Sequence, residues 1–97
     1  MILRILGSAR EDLAEGFGFY ERQEPGLGIY FLESLSSDIE SLKLYAGIHR
    51  KVFGYHRLLS RRFPYAVYYS CEPGAVLIRA VLDCRRDPKW IRKRLKE

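Results

Sequence analysis

Several basic and histidine side chains in the second half of the chain could act on a phosphate group. His49 is followed at once by two basic residues, and Arg57 lies eight positions later. A histidine titrates near neutral pH and can act as a general base, while arginines stabilise the negative charge that develops in phosphoryl transfer. A nuclease built this way would use His49 as its base. Its charge-stabilising arginines would be Arg57, Arg79 and Arg85.

The simpler interpretation is that His49 is a solvated residue or contacts another protein. We favour it, since a histidine in a basic loop commonly has no catalytic role. The same second half also carries two arginine pairs that bracket an apolar stretch, and a tryptophan follows the second pair. Clustered cations of this kind indicate a contact surface for an anionic macromolecule. The residues predicted for that surface are Arg57, Arg61, Arg62, Arg85, Arg86 and Trp90.

Charge is distributed very unevenly between the two halves of the chain. The net charge is +5, but residues 1–46 sum to −4 and residues 47–97 to +9. Such asymmetry is typical of proteins that bind an anionic partner, either a nucleic acid or an acidic protein segment. A solvated basic surface without a partner is the alternative.

Length and composition exclude several classes of protein. A chain of 97 residues makes one domain, here residues 1–97. No uncharged stretch approaches the ~18 to 20 residues that span a bilayer, so we expect a cytoplasmic protein without a membrane partner. Cys71 and Cys84 should lie too far apart for a disulfide, and no histidine or cysteine spacing fits a metal. We therefore expect free thiols, no metal and no cofactor.

The first half of the chain predicts a short strand and two helices. Residues 2–6 form an apolar run, and Ser8 with Glu11 has the spacing of a capping box that opens a helix. Gly16 and Gly18 in that helix indicate close packing against another element. A second helix is predicted from Leu27 to Ala46 on an apolar stripe, with its serines and aspartate on opposite or flanking faces, and Gly47 ends it. Together the helices predict an antiparallel hairpin.

The second half predicts three strands and a final helix. Apolar alternation with period two predicts strands over 55–60, 62–70 and 75–83. Along the last strand, alternation places Val76, Ile78, Ala80 and Leu82 on one face. Asp87-Pro88 has the form of a helix start, and we expect Trp90 to pack that helix on the sheet. The predicted class is α+β, with a helical hairpin on one face of a mainly antiparallel sheet.

Two segments of the second half are distinctive: Arg62-Phe63-Pro64-Tyr65-Ala66-Val67-Tyr68-Tyr69 and Ala80-Val81-Leu82-Asp83-Cys84-Arg85-Arg86-Asp87-Pro88. They resemble the RelE/ParE toxin superfamily, most closely its ParE-like branch, and the likeness extends over nearly the whole chain. The resemblance implies the toxin of a type II toxin-antitoxin operon. It implies neutralisation by a cognate antitoxin whose C-terminal segment wraps the toxin, with operator DNA bound only through that antitoxin.

The superfamily divides into two activities, and two positions bear on the choice. RelE-like members resemble ribosome-dependent mRNA endoribonucleases, whereas ParE-like members bind and poison DNA gyrase. Tyr65 stands where the nuclease branch tends to carry an arginine, and Trp90 stands where that branch carries its terminal Tyr or His. An indole has no proton to exchange near neutral pH. The resemblance therefore implies a gyrase-binding protein without catalytic residues; the alternatives are a ribosome-dependent nuclease and an inactive member retained for operon autoregulation.

Overall fold

A computed structural model describes residues 1–97 and has the predicted α+β architecture. One face of a five-stranded sheet is covered by a helical hairpin and the other by the C-terminal helix. In chain order the elements are β1 (Ile2–Ile5), α1 (Gly7–Gln23), α2 (Leu27–Glu40), α3 (Leu42–Tyr45), β2 (Lys51–Val52), β3 (Tyr55–Leu59), β4 (Tyr65–Glu72), β5 (Ala75–Asp83) and α4 (Pro88–Lys96).

The sheet has the strand order β1-β5-β4-β3-β2. β1 runs parallel to β5, and every other neighbouring pair is antiparallel. A parallel neighbour requires a long crossover connection, and the hairpin of α1 and α2 lies in the chain between β1 and the remaining strands. The hairpin therefore lies on one side of the sheet, called here the hairpin face.

The capping box predicted at Ser8 and Glu11 is wrong. The Leu6 N–H still donates to the Ile78 carbonyl of β5 at 3.1 Å, and α1 begins immediately afterwards at Gly7. Ser8 consequently lies inside the first turn, where its hydroxyl donates to the Arg79 carbonyl at 3.2 Å instead of capping the helix.

Close packing against another element is confirmed at Gly16 and is wrong at Gly18, where an added Cβ would meet only the end of the Arg22 side chain of the same helix. A Cβ atom at Gly16 would run into the ring of Phe31 on α2, and one at Gly28 would lie 2.8 Å from the ring of Phe17 on α1. The predicted second helix is interrupted, because α2 ends at Glu40 and the short α3 follows Ser41. Gly47 has a φ of 96° and ends the helical region as expected.

The strands differ from the prediction in two respects. The alternation predicted along β5 fails at Arg79, where a β-bulge lies between the pairs Tyr68–Ala80 and Tyr69–Ile78. Val76 and Ile78 therefore pack on the hairpin face, whereas Ala80 and Leu82 lie on the opposite face, called here the α4 face.

β4 begins at Tyr65 and not at residue 62, and the two-residue strand β2 was not predicted. β2 joins β3 through Phe53 and Gly54, whose φ values of 55° and 89° are both positive. A phenylalanine gives no sequence signal for such a turn.

The predicted start of the final helix is confirmed. The Asp87 side chain accepts a hydrogen bond from the Lys89 N–H at 2.8 Å, and Pro88 occupies the first turn of α4. The expectation that Trp90 packs this helix on the sheet is wrong, because Ile91 and Leu95 make that contact and Trp90 is exposed.

Candidate macromolecular contact surfaces

The two arginine pairs lie at the same end of the sheet. Arg61 and Arg62 are in the loop between β3 and β4, and Arg85 and Arg86 follow β5. The start of β4 and the end of β5 are neighbours, since Tyr65 pairs with Asp83. The structure thus places both pairs at one end of the strands, but they face different elements.

Arg85 is held in one orientation by the last residue of β5. Its guanidinium donates to both carboxylate oxygens of Asp83, at 3.0 and 2.8 Å, and its backbone N–H donates to Oδ1 at 2.8 Å. The hydrogen bonds from Arg85 lower the pKa of Asp83. The arginine side chain remains largely exposed, so it is oriented for contact without being buried.

Arg86 lies over the exposed indole of Trp90, with its guanidinium carbon 3.8 Å from the ring centroid. This is a close cation–π arrangement at a surface site. With Arg85, these residues form what we call the C-terminal rim: Arg85, Arg86 and Trp90. Exposed arginine and tryptophan side chains are the types most enriched among energetically dominant residues of protein interfaces.

A cleft of about 500 Å³ lies between α1 and the C-terminal rim. Gly16 and Gly18 line it on the α1 side, and the ring of Tyr65 lines it from the sheet. Burial raises the pKa of Tyr65 to about 12, so its phenol stays protonated and can donate a hydrogen bond at neutral pH. The remaining lining residues are Asp12, Ala14, Glu15, Phe19, Arg22, Val81, Leu82, Asp83, Arg86 and Trp90.

Arg57 lies on the α4 face beside Tyr68, its partner across the β3–β4 pair. Burial raises the pKa of Tyr68. Two further arginines lie against aromatic rings of the same face, Arg79 over Tyr55 at 5.6 Å and Arg92 over Phe53 at 5.1 Å. The contact at Phe53 could not be predicted, because β2 and its turn were not predicted.

His49 lies on the other face of the sheet from Arg57 and Arg79. Its Nδ1 is 2.5 Å from the Tyr69 hydroxyl, which also accepts a hydrogen bond from the Gly47 N–H at 2.9 Å. Tyr69 belongs to the core of the hairpin face. Burial, with a smaller contribution from His56, lowers the pKa of His49.

The four residues considered for a nuclease are therefore divided between different parts of the molecule. His49 is bound to Tyr69 on the hairpin face, Arg57 and Arg79 lie on the α4 face, and Arg85 is paired with Asp83 beyond β5. A general base must reach the proton that it removes by a hydrogen bond or through one water. The arrangement provides no single position that a phosphate could occupy beside all four.

A polar contact that was not predicted from the sequence joins three elements. The Asp12 carboxylate on α1 accepts hydrogen bonds from the Val81 N–H of β5 at 3.0 Å and from Arg94 of α4 at 2.8 and 2.7 Å. The side chains of Asp12 and Arg94 are only 10% and 18% exposed. No spacing rule connects residues so distant in sequence, so nothing in the sequence signals this contact.

Cys71 and Cys84 are both exposed and unpaired. No three side chains of the metal-binding types His, Cys, Asp and Glu come together in a group that could hold an ion. None of the four helices combines the length and the apolar character that crossing a bilayer requires.

Comparison with known proteins gives a match in structure and none in sequence. No family model and no curated protein matches the chain. A solved chain from the "Chromosomal ParDE TA system from P. aeruginosa" superposes with a TM-score of 0.76. It is 20% identical in sequence, and the superposition covers 84% of this chain and 92% of that one. This likeness establishes that the chain has a ParE-like fold, as its resemblance to the RelE/ParE superfamily implied.

Proposed function

We propose that this chain is the toxin of a type II toxin-antitoxin pair, that it inhibits DNA gyrase by binding it, and that a cognate antitoxin neutralises it. The observation that carries the proposal is the structural match with a chain of a ParDE toxin-antitoxin system over most of both chains. The resemblance of the segments at 62–69 and 80–88 supports the same assignment independently of the superposition.

The C-terminal rim supports gyrase binding over RNA cleavage. It offers an oriented cation in Arg85 and a stacked cation and aromatic ring in Arg86 and Trp90. The phenol of Tyr65 nearby has a pKa of about 12, and an indole does not exchange its proton near neutral pH. General acid–base catalysis works best with a group whose pKa is near the working pH. The rim is therefore suited to recognition of a macromolecule.

Binding of this kind would be steered by charge. The basic half of the chain has a net charge of +9, and Arg85 and Arg86 are exposed at its surface. Opposite charges accelerate encounter between macromolecules and favour correct orientation. Gyrase or its bound DNA would meet the C-terminal rim of the free toxin in the cytoplasm.

Expression of the chain alone in bacteria tests the proposal. Growth should stop with an SOS response and double-strand DNA breaks trapped on gyrase. Reversal of both rim charges (Arg85→Glu with Arg86→Glu) should restore growth, while the matched reversal Arg50→Glu with Lys51→Glu, at two exposed cations distant from the rim, should remain toxic. Rapid loss of mRNA with intact DNA would contradict the gyrase assignment and indicate a nuclease, and the absence of any growth defect would contradict toxin activity.

A further inference from the structure

A polar notch between α2 and the β3–β4 loop contains buried acceptor atoms that nothing in the chain satisfies. Ser34 and Asp38 were expected on faces opposite or flanking the apolar stripe of their helix, and they are only 5% and 7% exposed. The Ser34 hydroxyl and the Oδ2 atom of Asp38 have no hydrogen-bond partner. They line a cavity of about 80 Å³. Buried polar atoms are nearly always paired with protein groups or water, so a partner that displaces water from this cavity must hydrogen-bond to both atoms.

Arg61 and Arg62 form the opposite wall of this notch. Neither makes an ion pair with Asp38 or with any other acidic side chain, and the guanidinium of Arg62 instead lies 5.9 Å from the ring centroid of Tyr30. The notch therefore presents two free cations beside one carboxylate. An occupant must bring negative charge to the arginines, a hydrogen-bond donor to Asp38 and a polar group to the Ser34 hydroxyl.

A groove of about 380 Å³, lined by both polar and apolar residues, continues from the notch towards α3. Asp38 and Arg61 line both cavities, and Tyr45, Ile48 and Leu58 line the apolar part. Ile48 is 74% exposed and Leu44, four residues earlier, is 82% exposed. Large apolar side chains left so exposed next to a groove are typical of a binding surface.

We propose that the notch and groove together form the docking site for an acidic amphipathic segment of the antitoxin. Apolar side chains of the segment lie in the groove beside Tyr45 and Ile48. One carboxylate of the segment lies between Arg61 and Arg62. Main-chain N–H groups of the segment donate to Asp38 and Ser34. The inference rests on the proposed function for the identity of the partner.

The chemistry of the notch and groove together favours a polypeptide over a nucleic acid or a small anion. A phosphate would satisfy the two arginines, but it carries no apolar group to pack beside Tyr45, Ile48 and Leu58 in the groove. A peptide carries carboxylates, main-chain donors and apolar side chains within a few residues of each other. The notch lies against α2, whereas the C-terminal rim lies against α1 and α4. The antitoxin and gyrase would therefore bind at separate places.

Binding of peptides tests this assignment. Fifteen-residue fluorescent peptides that tile the protein encoded by the adjoining reading frame are titrated with the full chain, made by cell-free synthesis, and anisotropy is recorded. One acidic, apolar segment should bind the wild type. Arg61→Glu with Arg62→Glu should weaken that binding about 30-fold or more, as expected for loss of a desolvated charge pair. Asp38→Asn, which replaces an unpaired acceptor by a group of equal size, should weaken it about tenfold.

Two controls keep the outcomes distinct. Lys93→Glu with Lys96→Glu, at two exposed cations of α4, changes the charge by the same amount on the other face of the sheet and should leave peptide binding unchanged. Thermal unfolding of each variant shows that the fold is intact. Loss of binding in the rim variant with retention in the notch variant would overturn the docking site and leave the proposed function standing.

Failure of every peptide to bind the wild type would also overturn the docking site. Co-expression of the whole adjoining protein tests the proposed function separately, because an antitoxin must restore growth. Concentration-dependent self-association of the chain that is lost in the notch variant would assign the groove to a second copy and contradict the proposal.

Discussion

Arg94→Met tests whether the contact between α1, β5 and α4 stabilises the fold. In the wild type, both carboxylate oxygens of Asp12 accept from Arg94, and one also accepts from the Val81 N–H. Methionine keeps much of the apolar volume of the arginine but leaves the carboxylate, only 10% exposed, without its cation. Loss of one partner from a fully buried pair costs about 3–5 kcal/mol, and this pair is partly exposed, so we expect about 2–3 kcal/mol. For a chain of this size that corresponds to a fall in Tm of roughly 10–20 °C.

The assay is chemical or thermal unfolding of the chain and of the double variant with Asp12→Asn. Removal of both charges should recover at least about 1 kcal/mol relative to the sum of the single changes. The matched control is Arg85→Met, whose ion pair with Asp83 is more exposed than that of Arg94 with Asp12, so its loss should lower Tm much less than Arg94→Met does. A Tm of Arg94→Met within a few degrees of the wild type, or purely additive effects in the double variant, would refute the reasoning.

The same contact predicts a dependence on pH. Burial raises the pKa of Asp12, against the lowering by the Val81 N–H and by Arg94. The folded state therefore binds this proton more tightly than the unfolded state, so protonation of Asp12 favours folding. Without Arg94 the pKa rises further, and the destabilisation by Arg94→Met should shrink as the pH falls towards about 4. A penalty that grows on acidification would contradict this assignment.

Two other predictions concern the hairpin and the loop after it. Gly16→Ala should lower stability by about 1–2 kcal/mol, because the clash of its Cβ with the ring of Phe31 outweighs a gain in helix propensity of up to about 1 kcal/mol. Gly18→Ala is the control and should be neutral or stabilising, since its Cβ would meet only the flexible end of Arg22; equal effects on denaturant unfolding would show that the clash is unimportant. Burial lowers the pKa of His49, so the stability that it contributes is present above its unfolded pKa of about 6.5 and is lost as the pH falls below that value. His49→Asn should weaken the fall in Tm between pH 8 and pH 5.5, and an unchanged fall would exclude His49 as its source.

The helical hairpin and the long strands could be predicted because their periodicity is a direct consequence of burial on one side. The apolar stripe of α2 was confirmed for that reason, and Tyr65, Val67 and Tyr69 of β4 lie together in the core of the hairpin face. The change of face along β5 could not be predicted, since an extra residue at Arg79 leaves the alternation of apolar residue types unchanged on either side. The strand β2 has only two residues and gives no periodic signal.

The position of the arginine pairs along the chain could be read from the sequence, but their arrangement in space could not. The sequence indicated that the arginine pairs lie at the strand ends, and the structure places both at one end of the sheet. It did not indicate that Ser34 and Asp38 are buried beside Arg61, because a polar residue on a helix is normally assigned to the exposed side. Nor could it indicate which element each arginine faces, since that depends on contacts between distant parts of the chain.

Supercoiling by purified gyrase in the presence of the purified chain is the most direct test of the proposed function. Inhibition of supercoiling with accumulation of cleaved DNA, lost on reversal of Arg85 and Arg86, is the predicted result. Unaffected gyrase together with cleavage of mRNA on purified ribosomes would contradict it.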